Sequence, residues 1–443
     1  MAMPGTPSTC TLRHPSAWSP FAPRKGALSR SERRRCRKRT QKTNCQGSLI
    51  LGFGLALLLL TSPVVAHAQR ARLQVIGQPD REASLESAVG DVFRFKTPDG
   101  AINIPAGDVV AWGAPQESDR GQVLFADGSV LVAAYASLRD DRLVVISPTL
   151  GELALPLVQL AAIVVQPPTD PWRRDALVAK LMRATGDVDR LLLENGDELT
   201  GVLTGGTDEQ LQLQTVLGTD ARKHVDVPVA SVGAIVFNPA LRAKPRLAEQ
   251  QAWLGLEDGS LLLVEQWSLD DGRLSLTRPG GAAWRSDLAS VLRFAQPLNG
   301  IATYLSDLAP EAYRHLPYFT REWPYMLDRT VSGARLRAGG RLYAKGIGMH
   351  SASRLTFALN RAYSRFEAEV AIDDEAQGGG SVVVRVFADA EERYRSPILR
   401  GGEAPLAIGV DISGAQRLSL VVDHADRGDQ LDRADWLNAR LIQ

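Results

Sequence analysis

The 443-residue chain holds three cysteines, Cys10, Cys36 and Cys45, and none after residue 45. Beyond that point no thiol is present for a disulfide, a nucleophile or a metal site, so the body of the protein rests on hydrophobic cores. Histidine is also scarce. Past residue 68 only His224, His315, His350 and His424 remain, with no His-Glu-x-x-His spacing and no second His nearby in sequence. There is no G-x-S-x-G elbow, phosphate loop or dinucleotide fingerprint. A glycosidase would need two carboxylates facing a cleft on a large scaffold, whereas the acids here mark turns or exposed strand faces. The expectation is that the protein is not an enzyme.

Net positive charge is missing from the body as well. Residues 1–68 carry eleven Lys or Arg against one acid, Glu32, so this leader is +10 and the remainder −9 within a total of +1. An acidic body has no electrostatic affinity for nucleic acid, which is excluded as a partner. No long apolar run follows residue 65. The single such run, SLILGFGLALLLLTSPVV (48–65), follows the basic stretch SRSERRRCRKRTQK (29–42) and precedes Ala66-His67-Ala68. That order is the pattern of a secretory signal with cleavage after Ala68 and no membrane span thereafter. The competing reading is an uncleaved anchor, because the run is at the lower limit for a membrane span. The expected location is secreted, periplasmic or at the cell surface.

A length of 443 residues suggests about three domains at roughly 150 residues each. The composition is that of a globular protein, 44% hydrophobic and 23% charged, which argues against a large disordered fraction. Three segments repeat an apolar strand, a turn and a second strand: VLFADGSVLVA (123–133), LLLENGDELTGVL (191–203) and LGLEDGSLLLVEQW (254–267). Their turns are Asp127-Gly128, Asn195-Gly196 and Asp258-Gly259, residue pairs that tolerate positive φ and signal hairpins. Alternating strands follow at 141–165, 209–237 and 272–294. The stretch VFRFKTPDGAINIPAGDVVAW (92–112) reads as the second half of an extra N-terminal copy. Pro105, Pro156 and Pro228 recur before the closing strand.

The expected organisation is a signal at 1–68, two repeats at 69–169 with the first incomplete, and a helical insertion at 170–190. A repeat at 191–240, a linker at 241–251 and a repeat at 252–300 follow. Trp172, Leu177, Leu181 and Met182 give the insertion its helical spacing, and ALRAKPRLAEQQ (240–251) is a weaker helix broken by Pro245. Period-two alternation in units this small implies strongly bent sheets or small barrels. The pattern resembles Sm-like and SH3-like barrels, and an Sm-type assembly would join copies in a ring. Sm-like rings elsewhere bind RNA, but this body lacks the basic, aromatic surface that RNA requires. The repeats are therefore expected to act as spacers or as contacts for a protein partner.

Residues 301–443 have a different texture. Aromatics gather at Tyr313, Tyr318, Phe319, Trp323 and Tyr325, then strands recur at 355–360, 365–373, 381–390, 404–413, 416–424 and 434–442 with Gly-rich turns between. Regular strands at this spacing suggest an antiparallel sandwich. YLSDL (304–308), RLYAKGIGMHSASRLTFALNRAYSRFEAEVAIDDE (341–375), GSVVVRVFADAEERYRSP (380–397), VDISGAQRLSLVVD (410–423) and DRADWLNARL (432–441) carry a specific resemblance. Together they resemble the NPCBM family of carbohydrate-binding-type modules, which are galactose-binding-like β-sandwiches often attached to glycoside hydrolases. The chain departs from the family where Asp389-Ala390 replaces an Asp-Gly turn. The fold class is then all-β, with tandem small barrel-like repeats followed by a C-terminal jelly-roll sandwich.

Sugar recognition needs an aromatic face for the apolar C–H patch and hydrogen-bonding groups for vicinal hydroxyls. The candidates are His350, Asp373, Asp374, Arg385, Trp323, Tyr325 and Tyr343. Five of them have a structural alternative: a hydrogen bond pinning the KGIGMHS bend for His350, core packing for Tyr325 and Tyr343, and a turn cap for Asp373-Asp374. Asp423, Asp426, Asp429, Asp432 and Asp435 recur every third residue, which fits neither an EF-hand nor a stable helix face. The family resemblance implies that this run splits into a strand end, a turn and the start of a strand in which Trp436 enters the core. No cofactor is expected; a structural calcium ion, where one is bound, would take the loop acids Asp373, Asp374 and Asp432. The functional expectation is an exported, non-catalytic protein that binds a glycan, of galactose type on the family's pattern. The alternative is a structural or assembly protein of the cell envelope whose sandwich has lost its sugar site.

Overall fold

The computed structural model describes residues 69–217, 221–244, 252–317 and 320–443. The leader, its cysteines, Tyr318, Phe319 and most of the 241–251 linker lie outside the described residues. Strands dominate, and they form two bodies of sheet: a 22-stranded network before residue 298 and two six-stranded sheets after it.

The network consists of four units. In unit I the strands are Ala71–Val75, Arg81–Val89, Val92–Thr97, Gly100–Pro105 and Val109–Gly113. The first strand pairs with both the second and the last, which bends the sheet back on itself. The same first-to-last pairing joins Gln122–Phe125 to Leu160–Val164 in unit II and Asp189–Leu193 to Val232–Val236 in unit III. It joins Ala252–Leu256 to Leu292–Pro297 in unit IV. No pairing joins the strand before the last to the last among the described residues, so no unit closes into a barrel.

Unit I differs from the sequence expectation, because it is complete. Its opening hairpin turns through Ile76-Gly77-Gln78 and lacks the Asp-Gly signal that marks the other units. At Gly128, Gly196 and Gly259 the turns take φ near +90°, as the Asp-Gly and Asn-Gly pairs imply. The recurring prolines have a definite job. Pro105, Pro156 and Pro228 each cap a single 3-10 turn, with φ between −64° and −56°, and the last strand begins directly after it. The ring fixes φ and withholds an N–H, which ends the fourth strand and starts the turn. In unit IV Leu288 occupies that place.

The units do not follow one another in space. Unit I pairs with unit IV through Gly113 and Phe294, unit IV with unit II through Leu261 and Val130, and unit II with unit III through Ala162 and Val236. At the centre two Asp-Gly-Ser turns cross-brace each other: Val132 N–H donates to Ser260 Oγ, and Leu263 N–H to Ser129 Oγ, both at 2.9 Å. Buried Arg278 adds a hydrogen bond to Asp127 and lies 3.6 Å from the Phe125 ring centre. One hydrophobic cluster runs through all four units, from Leu73 to Ala295. Each last strand is paired on both edges within the chain, so those edges are not free to build the ring of an Sm-type assembly.

The insertion between units II and III carries α1, Pro171–Met182, capped by Asp170 accepting from Arg173 N–H at 2.7 Å. Leu181 packs on the outer face of the sheet with Leu124, Ala162 and Val236. Of the second expected helix, the described part is the 3-10 turn Pro239–Leu241 and an extended exit.

The C-terminal region is a sandwich of two antiparallel sheets. One runs in the order Met326–Leu327, Gly346–His350, Arg433–Ile442, Arg365–Ile372, Leu406–Asp411. The other runs Ala312–His315, Ser353–Ala358, Arg417–His424, Ser381–Ala388, Glu391–Arg395. The six strands read from the sequence are all present. Trp436, Phe357 and Phe366 are fully buried between the sheets.

Two polar seams fasten the sandwich to the repeats. In the first, Arg72 and Gln74 reach Glu369, while Asn438 and Gln296 link Gln74 to Tyr304 through hydrogen bonds of 2.9–3.2 Å. The second is ionic. Asp175 of α1 accepts from Arg335 Nε at 2.9 Å and Arg337 Nη1 at 2.5 Å, while Glu117 pairs with Arg174, Arg335 and Arg337. Asp175 and Arg337 are both under 10% exposed. Burial alone would raise the Asp175 pKa, but Arg335 and Arg337 outweigh it and hold the carboxylate below its ordinary value. Removing Asp175 leaves the buried Arg337 with the exposed Glu117 as its remaining ionic partner. Asp175→Ala is expected to cost about 3–5 kcal/mol of stability, read by chemical denaturation. Because the native pKa is depressed, this contribution is present above the unfolded value and is lost as pH falls through the native one.

Candidate functional site

Strand pairing brings one set of loops to a single end of the sandwich. His350 ends its strand opposite Arg433, Ile372 lies opposite Ala434, and His315 opposite Ser353. The loops after His315, His350 and Ile372, and the one before Arg433, therefore meet.

His350 is the centre of an aromatic cluster there. Its ring stacks on Trp323 with centroids 4.9 Å apart and planes 3° from parallel. His315 meets it edge-on at 6.0 Å, and the Arg321 guanidinium lies 3.8 Å from the Trp323 ring centre. Backbone bonds hold the loop: Trp323 N–H donates to His315 Nδ1 at 3.3 Å, and Tyr313 Oη donates to the Trp323 carbonyl at 2.6 Å. His350 is 5% exposed, and burial pushes its pKa down to about 4, so the ring is neutral at pH 7. Trp323 stays half-buried and Arg321 exposed.

The KGIGMHS motif delivers His350 by close packing. A side chain on Gly348 would stand 2.5 Å from the Arg329 carbonyl oxygen, so glycine lets the 329–331 backbone lie against the strand. Lys345, 3% exposed, joins Asp307 of the YLSDL stretch at 2.5 Å to Asp328 at 2.8 Å. These two motifs thus brace each other.

The acids at this end are engaged by the backbone. Asp373 accepts from Arg337 N–H at 2.9 Å and Glu375 N–H at 2.7 Å. Asp374 accepts from Gly339 and Gly340 N–H, and Asp432 from Ser381 N–H at 2.8 Å. Among the described residues no group of three His, Cys, Asp or Glu side chains is arranged to hold a metal ion. Instead, Asp373 meets the wholly buried Asp435. Desolvation raises both, Asp373 to about 6 and Asp435, which also faces the Asp373 charge, well above the ordinary value. Desolvation also lifts Asp432 to about 6.

The other candidates lie apart. Arg385 is in mid-strand on a sheet's outer face, paired with Glu392 at 3.0 Å and Asp423 at 2.7 Å. Tyr343 is 9% exposed beside the first seam, and burial pushes its hydroxyl up to about 12. Tyr325 packs on Tyr313 at 5.0 Å, underneath the Trp323 loop. The five evenly spaced aspartates separate likewise: Asp423 pairs with Arg385 and Asp426 with Arg400, Asp429 faces the histidines, and Asp432 and Asp435 are buried. Sequence reasoning missed His315, Arg321, Glu375 and Arg433. His315 is 35 positions from His350, and only pairing of its strand with Ser353–Ala358 brings the rings together.

The model for the NPCBM/NEW2 domain matches residues 302–442. This segment is an NPCBM domain. A protein of Akkermansia muciniphila named alpha-1,3-galactosidase B is 36% identical over 116 residues, which is 25% of this chain and 14% of that protein. A relative from Renibacterium salmoninarum is 34% identical over 110 residues. The chain thus spans 7% and 14% of the length of these curated relatives. Among solved structures, the CBM51 of Clostridium perfringens GH95 in complex with methyl-galactose is 25% identical. It covers 32% of this chain and 99% of that one, at a TM-score of 0.29. The CBM51-2 of Clostridium perfringens ZmpB in complex with GlcNAc is also 25% identical, covers 42% of each chain and has a TM-score of 0.30.

Titration of the NPCBM acids has a definite sign. The native pKa values of Asp373, Asp432 and Asp435 are raised, so the unfolded chain sheds these protons first and stability falls as pH rises from about 4 through 6. His350, buried neutral, acts oppositely between about 6.5 and 4. Asp435→Asn keeps a hydrogen bond to Asp373 without a second charge. It is expected to stabilise the fold by about 1–3 kcal/mol at pH 8 and by little at pH 4. Thermal unfolding across that range checks the convergence.

Proposed function

We propose that this is an exported, non-catalytic carbohydrate-binding protein whose NPCBM domain holds a glycan at the loop end bearing Trp323. The observation that carries the reading is the Trp323–His350 stack. It fixes a half-exposed indole on a rigid, neutral base, with an exposed guanidinium over the ring. The exposed Arg321 guanidinium covers the indole face opposite His350; once it swings aside, that face suits a sugar's C–H patch and the guanidinium its hydroxyls. His350 supports the platform from below and is too buried to be the main sugar contact. The basic, apolar leader and its Ala66-His67-Ala68 site support export.

The alpha-1,3-galactosidase name of one relative makes galactose-type glycans the first probes. The repeats, fastened by two seams, serve as a rigid base for the domain. On a glycan array the full chain is expected to retain galactose-type structures. Trp323→Ala is expected to weaken retention about tenfold, on the order of 1.4 kcal/mol, with its unfolding midpoint little changed. Retention of no glycan, with or without calcium, would instead favour the structural reading of the domain.

A further inference from the structure

Beside the Trp323 platform lies a shallow cleft of about 520 Å³ that the NPCBM domain does not build alone. One wall is Glu375, Gln377, Leu431 and Arg433 of the sandwich loops; the other is Trp172, from the first turn of α1. We infer that this cleft is a second sugar subsite, for a neutral residue further along the same glycan, with Trp172 as its aromatic wall. The inference rests on the carbohydrate-binding reading above.

Trp172 is held in place by the ionic seam. The Arg337 guanidinium lies 4.6 Å from its ring centre, and Arg337 is tied to Asp175, also in α1. The Arg337 N–H bonds the Asp373 carboxylate, and Asp373 caps the turn that presents Glu375. One short chain of contacts thus sets both walls, which is the preorganisation a weak-binding ligand needs. The polar groups suit hydroxyls. Glu375 and Arg433 pair at 2.9 Å, so they supply acceptors and donors with no net charge. Gln377, exposed at φ 49°, points out an amide that takes no partner among the described residues. The volume falls within the roughly 300–1,000 Å³ of small-molecule sites. Arg433, the register partner of His350, borders both this cleft and the Trp323 platform.

The test uses the full chain with methyl-galactoside and a set of galactose-terminated tetrasaccharides, titrated by calorimetry. Wild type is expected to bind at least one tetrasaccharide more tightly than the monosaccharide. Trp172→Ala should lower tetrasaccharide affinity about tenfold and leave methyl-galactoside binding within about twofold, whereas Trp172→Phe should restore most of the loss. Gln377→Asn, which keeps a residue tolerant of positive φ, should show the same selective loss and stands in if Trp172→Ala fails to fold. Tetrasaccharide binding unchanged in Trp172→Ala, or in Gln377→Asn where that variant stands in, overturns the second subsite and leaves the Trp323 reading intact. Wild type that binds none of these sugars overturns both.

Discussion

The arrangement of the loop end depends on buried charge that must be paired. Asp175 and Glu117 come from the repeats, and Arg335 and Arg337 from the sandwich. Asp175 and Arg337 could not be buried unpaired, since an unpaired ion in a low-dielectric site costs several kcal/mol, while Glu117 and Arg335 complete the seam at its more exposed edge. Pairing them fixes one docking geometry. Arg337 then acts in three directions: on Asp175 through its guanidinium, on Trp172 through its flat face, and on Asp373 through its backbone. The insertion helix is therefore part of the sandwich's loop end, although it lies about 130 positions before the domain.

The same logic of satisfying buried polar groups orders the repeats. Ser129 and Ser260 are fully buried, and each hydroxyl accepts a backbone N–H from the other unit. Units II and IV, which carry Asp-Gly-Ser, meet in this way. Unit III carries Asn195-Gly196-Asp197 and meets its neighbour through a last strand instead. Four similar sequences thus form one non-sequential array with a shared core. The Asp373–Asp435 pair is a different solution to burial. Desolvation raises the pKa of both acids, so the pair's contribution to stability is greatest at mildly acidic pH.

Much of the local structure was legible. The Asp-Gly and Asn-Gly turns, the helix after Asp170 and the six sandwich strands follow from backbone chemistry within a few residues. So does the role of the recurrent prolines, once their spacing is matched to the 3-10 turns. Unit I's first hairpin was not legible, because Ile76-Gly77-Gln78 carries no strong turn signal. Of the site, Trp323 and His350 stood out by residue type and motif. Their stacking, and the distance of Arg385 and Tyr343 from them, depended on pairing across the sheets. The even spacing of the five aspartates led nowhere in space, since a strand end, a turn and the start of the next strand aim successive carboxylates in different directions.

By itself the sequence determined an all-β body without disulfides, an NPCBM-like final third, and the turns that separate the strands. These are local matters, set by φ preferences, period-two alternation and capping. Only the tertiary structure decided the I–IV–II–III order of the units and the neutral histidine under Trp323. The seating of Trp172 against the sandwich was decided there too. Each depends on groups distant in sequence becoming buried together, where desolvation forces them to find partners.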